Sequence, residues 1–171
     1  MRNILFTISL VVSFSSFGQS KYDYLLSGID KDDKNDTYGA ISDYTKAIEI
    51  DPNYETAYNL RGLSKSKVGD NYGAISDFKK AINLSPNNPE MSYFYYDNMA
   101  VSMMELNDNE GAYYALKKAI QINPDYANAY FNLGIVKWNS NYALADCCKS
   151  WREAAYRGHE GAKKRLIARC Q

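Results

Sequence analysis

Three stretches of this chain repeat one alternation of apolar and polar positions. Ala40, Ile41, Tyr44, Ala47 and Ile48 recur at spacings of three and four residues; Ala74, Ile75, Phe78, Ala81 and Ile82 repeat them, and Ala112, Leu116, Ala119 and Ile120 do so in part. That period places the apolar residues on one face, so each stretch predicts an amphipathic helix. Each follows a polar turn (Asn35-Asp36-Thr37, Gly69-Asp70-Asn71, Asn107-Asp108-Asn109) whose short side chains suit helix caps. Each also stops ahead of a proline (Pro52, Pro86 or Pro124), which lacks the N–H a helix needs and restricts the residue before it. Farther upstream, Tyr24, Tyr58 and Tyr96 each precede a small residue by four positions (Gly28, Gly62, Ala100), marking a second helix per unit. The first two prolines are 34 residues apart and the next gap is 38, so four additional residues are expected around Asn88 to Met91, in the connection. Self-similarity at this period predicts stacked helix pairs that bury their apolar faces on one another.

These residues resemble the tetratricopeptide repeat, in which an aromatic, a Leu-Gly, a Tyr, an Ala, a Phe, an Ala and a closing Pro are spread over one unit. The resemblance implies an all-α, right-handed superhelical solenoid of antiparallel helix pairs with a C-terminal capping helix. Three units are assigned to 21–54, 55–88 and 93–126. A fourth, 127–158, begins with Tyr130, Leu133 and Gly134, then drifts by one residue at Cys147, Trp151 and Ala154, and its end is similar to a Sel1-type repeat. Residues 159–171 are expected to close the stack with a helix over about Glu160 to Arg169. The first unit carries Ser27 and Lys31 where Leu and Tyr are usual, followed by the polar run Lys31-Asp32-Asp33-Lys34, and is expected to be the weakest.

The family's concave groove implies a set of lining positions in the first helix of each unit. Here they are Tyr22, Leu25, Ile29 and Asp32; Thr56, Asn59, Leu63 and Ser66; Phe94, Asp97, Val101 and Met104; and Asn128, Phe131, Ile135 and Trp138. The lining is apolar and aromatic with few charges, which argues against a clamp for a C-terminal carboxylate and favours a peptide with apolar anchors. Phe94, Phe131 and Trp138 are the expected hot spots. Packing between helices is the competing role for several of them.

Outside the repeats, Met1 and Arg2 precede an apolar stretch, Ile4 to Phe14, and small residues at Ser16-Phe17-Gly18. That order predicts a secretory signal peptide over 1–18, and a stretch so short does not span a bilayer. The remaining chain is expected to be soluble and periplasmic or secreted, where disulfides persist. With 20 basic and 20 acidic residues there is no broad field for nucleic acid. Cys148 and Cys170 lie about equally far from a turn at Gly158, so a disulfide between them is expected, with Cys147 as the competing partner of Cys170. Adding His159 to the three cysteines gives a zinc-capable inventory, but adjacent Cys147 and Cys148 point to different faces of a helix and no Cys-x-x-Cys exists, so no metal is expected. His159 itself, and the basic run Lys163-Lys164-Arg165, are expected to be solvated. No catalytic triad, phosphate loop or His-Glu-x-x-His motif is present, so neither catalysis nor a cofactor is expected. The functional expectation is a monomeric scaffold or adaptor for a protein or peptide segment. The alternatives are a self-associating structural module of an envelope assembly, and a binding protein for a small molecule.

Overall fold

A computed structural model describes residues 19–85 and 89–170, with backbone alone at 89 and 90. The expected signal peptide, 1–18, and the closing Pro86 of the second unit lie outside the described residues. Nine helices follow one another among the described residues: α1 (Lys21–Asp33), α2 (Thr37–Ile50), α3 (Glu55–Lys67), α4 (Asn71–Leu84), α5 (Pro89–Glu105), α6 (Asn109–Ile122), α7 (Ala127–Asn139), α8 (Leu144–Tyr156) and α9 (Glu160–Arg169). They form the pairs α1/α2, α3/α4, α5/α6 and α7/α8, each stacked on the next, with α9 laid against α8. The result is an all-α solenoid. No described helix is long and apolar enough to cross a membrane.

The turns explain the regular spacing. Asn35, Gly69, Asn107 and Asn141 occupy matching positions after the first helix of each pair, and all four have positive φ. Gly and Asn adopt that left-handed conformation at lowest cost, and it reverses the chain after a helix C-terminus. The next residue in the first three pairs is an aspartate. Asp36, Asp70 and Asp108 accept the backbone N–H of Gly39, Gly73 and Gly111 at 2.9–3.0 Å and so cap α2, α4 and α6. A Cβ at any of those glycines would collide with the capping carboxylate, which accounts for the Asp-x-x-Gly pattern. The fourth pair lacks this cap: Ala143 precedes α8 and offers no side-chain cap hydrogen bond.

Where the two helices of a pair cross, a missing side chain faces a ring. A Cβ on Gly28 would come within 2.5 Å of Tyr44, one on Gly62 within 2.8 Å of Phe78, and one on Gly134 would meet the Trp151 indole. At the matching positions of the third pair stand Ala100 and Leu116, a larger residue facing a smaller one, both fully buried in the same cluster. The four additional residues expected in the connection after Pro86 instead join α5, which begins at Pro89 and gains a turn. Proline is tolerated there because the first N–H groups of a helix have no partner within it.

The polar residues of the first unit are anchored. Ser27 Oγ and Lys31 Nζ both donate to Oδ2 of Asp43 at 2.6 Å, and Asp43 is only 3% exposed. A capping box between Ser20 and Asp23 closes the start of α1. At the far end a disulfide joins Cys148 of α8 to Cys170, just past α9, with Cα atoms 5.8 Å apart, while Cys147 is a buried free thiol. Both α8 and α9 thus close on one cluster containing Trp151, Ala154, Ala162 and Leu166.

Candidate functional site

The first helices of successive pairs approach one another, and hydrogen bonds tie them together. Ser64 donates to Asp32 at 2.5 Å, Asn98 to Asn59 at 3.2 Å, Ser102 to Ser66 at 3.2 Å and Asn132 to Asp97 at 2.9 Å. Helices that meet across every repeat junction form the inner face of a curved stack, and α1, α3, α5 and α7 do so here.

Of the residues assigned to that face by sequence, six stand open: Tyr22, Leu63, Val101 and Trp138, with the polar Thr56 and Asn128. Leu63 is 40% exposed, Val101 38%, Trp138 38% and Tyr22 58%. Leu63 and Val101 hold the same position in adjacent units, and Ile29 and Ile135, half-buried, extend the series to the first and fourth. Asn59 is half-buried and engaged with Asn98. The others have different roles. Leu25 belongs to the core cluster around Ala40 and Tyr44, because its position on α1 turns toward α2. Phe94 packs against Tyr93 and Tyr126, at ring separations of 4.2 and 5.1 Å. Phe131 stacks on His159 at 4.1 Å. His159 is therefore not a solvated turn residue: its Nδ1 also accepts the Ala162 N–H and caps α9. Trp138 remains accessible but carries the Arg169 guanidinium 5.1 Å from its ring.

Asp97 is buried too, at 5% exposure, accepting the Tyr126 hydroxyl at 3.0 Å and the Asn132 amide at 2.9 Å. Burial pushes its carboxyl above the usual range, and these neutral donors and the more distant His159 only partly offset the effect. Asp43 behaves oppositely. Burial opposes its charge as well, but the Lys31 ammonium and the Ser27 hydroxyl prevail and hold the carboxyl below its ordinary value.

Sequence reasoning did not single out a polar node that recurs between the helices of the first two pairs and, with a serine in place of the aspartate, of the fourth. Lys65 and Arg61 bind buried Asp77 at 2.8 Å, as Lys31 binds Asp43. In the fourth pair Lys137 donates to Ser150 at 3.0 Å, and in the third the matching residues are Met103 and Ala115. The signal was available: each aspartate follows its lysine by twelve residues. These cations are consequently held inside their own pairs. Among the described residues no group of three or more His, Cys, Asp or Glu side chains could hold a metal ion.

Family models support the periodicity directly. A model described as tetratricopeptide repeat matches residues 31–54 and 55–88, and one described as TPR repeat matches 102–141. The chain is a tetratricopeptide repeat protein. Solved structures of similar fold include a crystal structure of MamA, 26% identical, with a TM-score of 0.70 over 80% of this chain and 72% of that one. MamA 41-end from Desulfovibrio magneticus RS-1 is 14% identical, with a TM-score of 0.73 over 90% and 94% of the two chains. YrrB, described as a TPR protein with an unusual peptide-binding site, is 20% identical, with a TM-score of 0.67 over 84% and 72%. No curated protein matches the sequence significantly.

Proposed function

We propose that this tetratricopeptide repeat protein is an exported, non-enzymatic scaffold that holds a peptide or protein segment along the inner face of α1, α3, α5 and α7. The observation that carries this reading is the pair Leu63 and Val101, equivalent aliphatic residues of adjacent units left 40% and 38% exposed. They are flanked by half-buried Asn59, Asn98 and Ser66, which can exchange hydrogen bonds with an extended backbone, while Ser102 beneath Ser66 is fully buried. Apolar anchors at repeat spacing beside neutral polar groups suit a segment with spaced apolar side chains. An acidic tail fits poorly, because Lys31, Arg61 and Lys65 are engaged by Asp43 and Asp77. The peptide-binding site ascribed to YrrB makes the same use of the fold plausible by analogy only.

Export rests on the order of charge, apolar residues and small residues in 1–18; recovery from the extracytoplasmic fraction of a chain beginning at Gln19 is the expected result. For the inner face, the decisive comparison is capture of partners by the wild type, by a Leu63→Asp/Val101→Asp variant and by Tyr156→Ser, which alters a tyrosine remote from that face. Loss of the same captured segment in the first variant alone supports the reading. Equal capture by all three proteins overturns it.

A further inference from the structure

We infer a second recognition site, outside the inner face, for an alkylammonium group of the kind a lysine side chain of a partner protein presents. Asn109, Glu110, Tyr113 and Tyr114 at the start of α6, with Ser140 and Tyr142 from the α7–α8 turn, line a hollow of about 290 Å³. Tyr113 and Tyr142 lie nearly parallel, 16° apart with centroids separated by 6.2 Å, and Tyr114 stands at 87° to Tyr113. Three rings in two orientations thus share one small recess, and two of them, Tyr114 and Tyr142, are exposed.

The chemistry of this recess is uniformly electron-rich. Ring faces carry negative quadrupole charge, Glu110 adds a carboxylate, and no Lys, Arg or His lines the hollow. The lysines one turn further along α6, Lys117 and Lys118, line a separate hollow that shares only Tyr114 with this one. An anion is disfavoured, since the adjoining helix end is already capped by Asp108. An ammonium supplies the positive charge that the rings and Glu110 leave unmatched.

Elsewhere among the described residues several tyrosine rings hold cations of the chain itself. Lys21 lies over Tyr22 and Tyr54, Arg61 over Tyr58 and Arg157 over Tyr130, each within 6 Å of the ring centroid. Tyr113, Tyr114 and Tyr142 have no such cation among the described residues. Charge complementarity therefore identifies the occupant as a cation brought by the partner.

The probe is n-butylammonium, the end of a lysine side chain, titrated into the full chain with tyrosine ring resonances as the readout and 1-butanol as the neutral isostere. The expected result is saturable shifts at Tyr113, Tyr114 and Tyr142 with butylammonium and none with butanol. Tyr142→Ala and Glu110→Gln, both at exposed positions, are each expected to weaken binding by roughly fivefold, the scale of an exposed cation–π contact. The Leu63→Asp/Val101→Asp variant keeps the shifts, so failure of the inner-face reading leaves this one standing. Equal shifts with butanol, no shifts with either probe, or shifts unchanged in both site variants would overturn the proposal.

Discussion

Gly62 and Phe78 illustrate how single positions set the distance between helices. A side chain at 62 would occupy the space of a fully buried ring, so Gly62→Val forces Phe78 or α3 to move. Overpacking of this kind costs about 1–3 kcal/mol, to be read as a lower urea midpoint at unchanged slope. The buried carboxylates give a second prediction with opposite signs. Asp43, held low, stabilises the fold at pH 7 and loses that contribution as pH falls through its folded-state value; Asp43→Asn is expected to lower Tm at pH 7, with the difference narrowing in acid. Asp97, pushed up, penalises the fold at neutral pH, and the penalty is relieved as pH falls through its raised value toward that of the unfolded chain. Asp97→Asn is therefore expected to raise Tm at pH 7 and to match the wild type near pH 4, about where an ordinary carboxyl titrates. Thermal scans between pH 4 and 8 check both. Neither behaviour was legible from residue type. Asp43 reads as an ordinary helix-surface acid and Asp97 as a groove-lining one until their partners, Lys31 for the first and Tyr126 with Asn132 for the second, are known.

At the scale of helices the sequence was far more transparent. Apolar periodicity, Asp caps and left-handed Asn or Gly turns are local signals, and they mark α2, α4 and α6 together with their entry turns. What they could not convey was rotation about each helix axis. Positions four residues apart on a helix differ by about 40° of rotation, which is why Leu25 and Asp97, at the fifth position of their units, are internal while Leu63 and Val101, at the ninth, are open. The capping helix was legible over its observed range, but the covering of Phe131 by His159, from beyond α8, was not. Its anchorage yields a third prediction. Cys170→Ser removes the link to Cys148 and is expected to destabilise the chain by about 3 kcal/mol in the chain-entropy model, with faster amide exchange confined first to α9.

The whole molecule is a line of neighbours, with α9 covering the last pair. A chain ending at Gly158 uncovers Trp151, Ala154 and Phe131 together. Because each pair is stabilised mainly by the adjacent ones, amide protection is expected to fall in α7 and α8 while α1 to α4 retain it; uniform loss along the chain would show that the stack melts as one unit. The matched volumes at the helix crossings carry a further consequence, for how such a chain can be duplicated or recombined. Gly62 accepts Phe78, whereas Ala100 faces Leu116, so a hybrid joining α5 to α4's sequence would set an extra methyl against a ring. Cuts placed after Asp51 or Asn123 preserve every matched couple, while cuts at Asn35, Gly69 or Asn107 separate partners that fit only each other. The inherited and exchangeable unit of this protein is thus the couple of helices bracketing a left-handed turn, and an insertion within that couple must be answered on both sides at once.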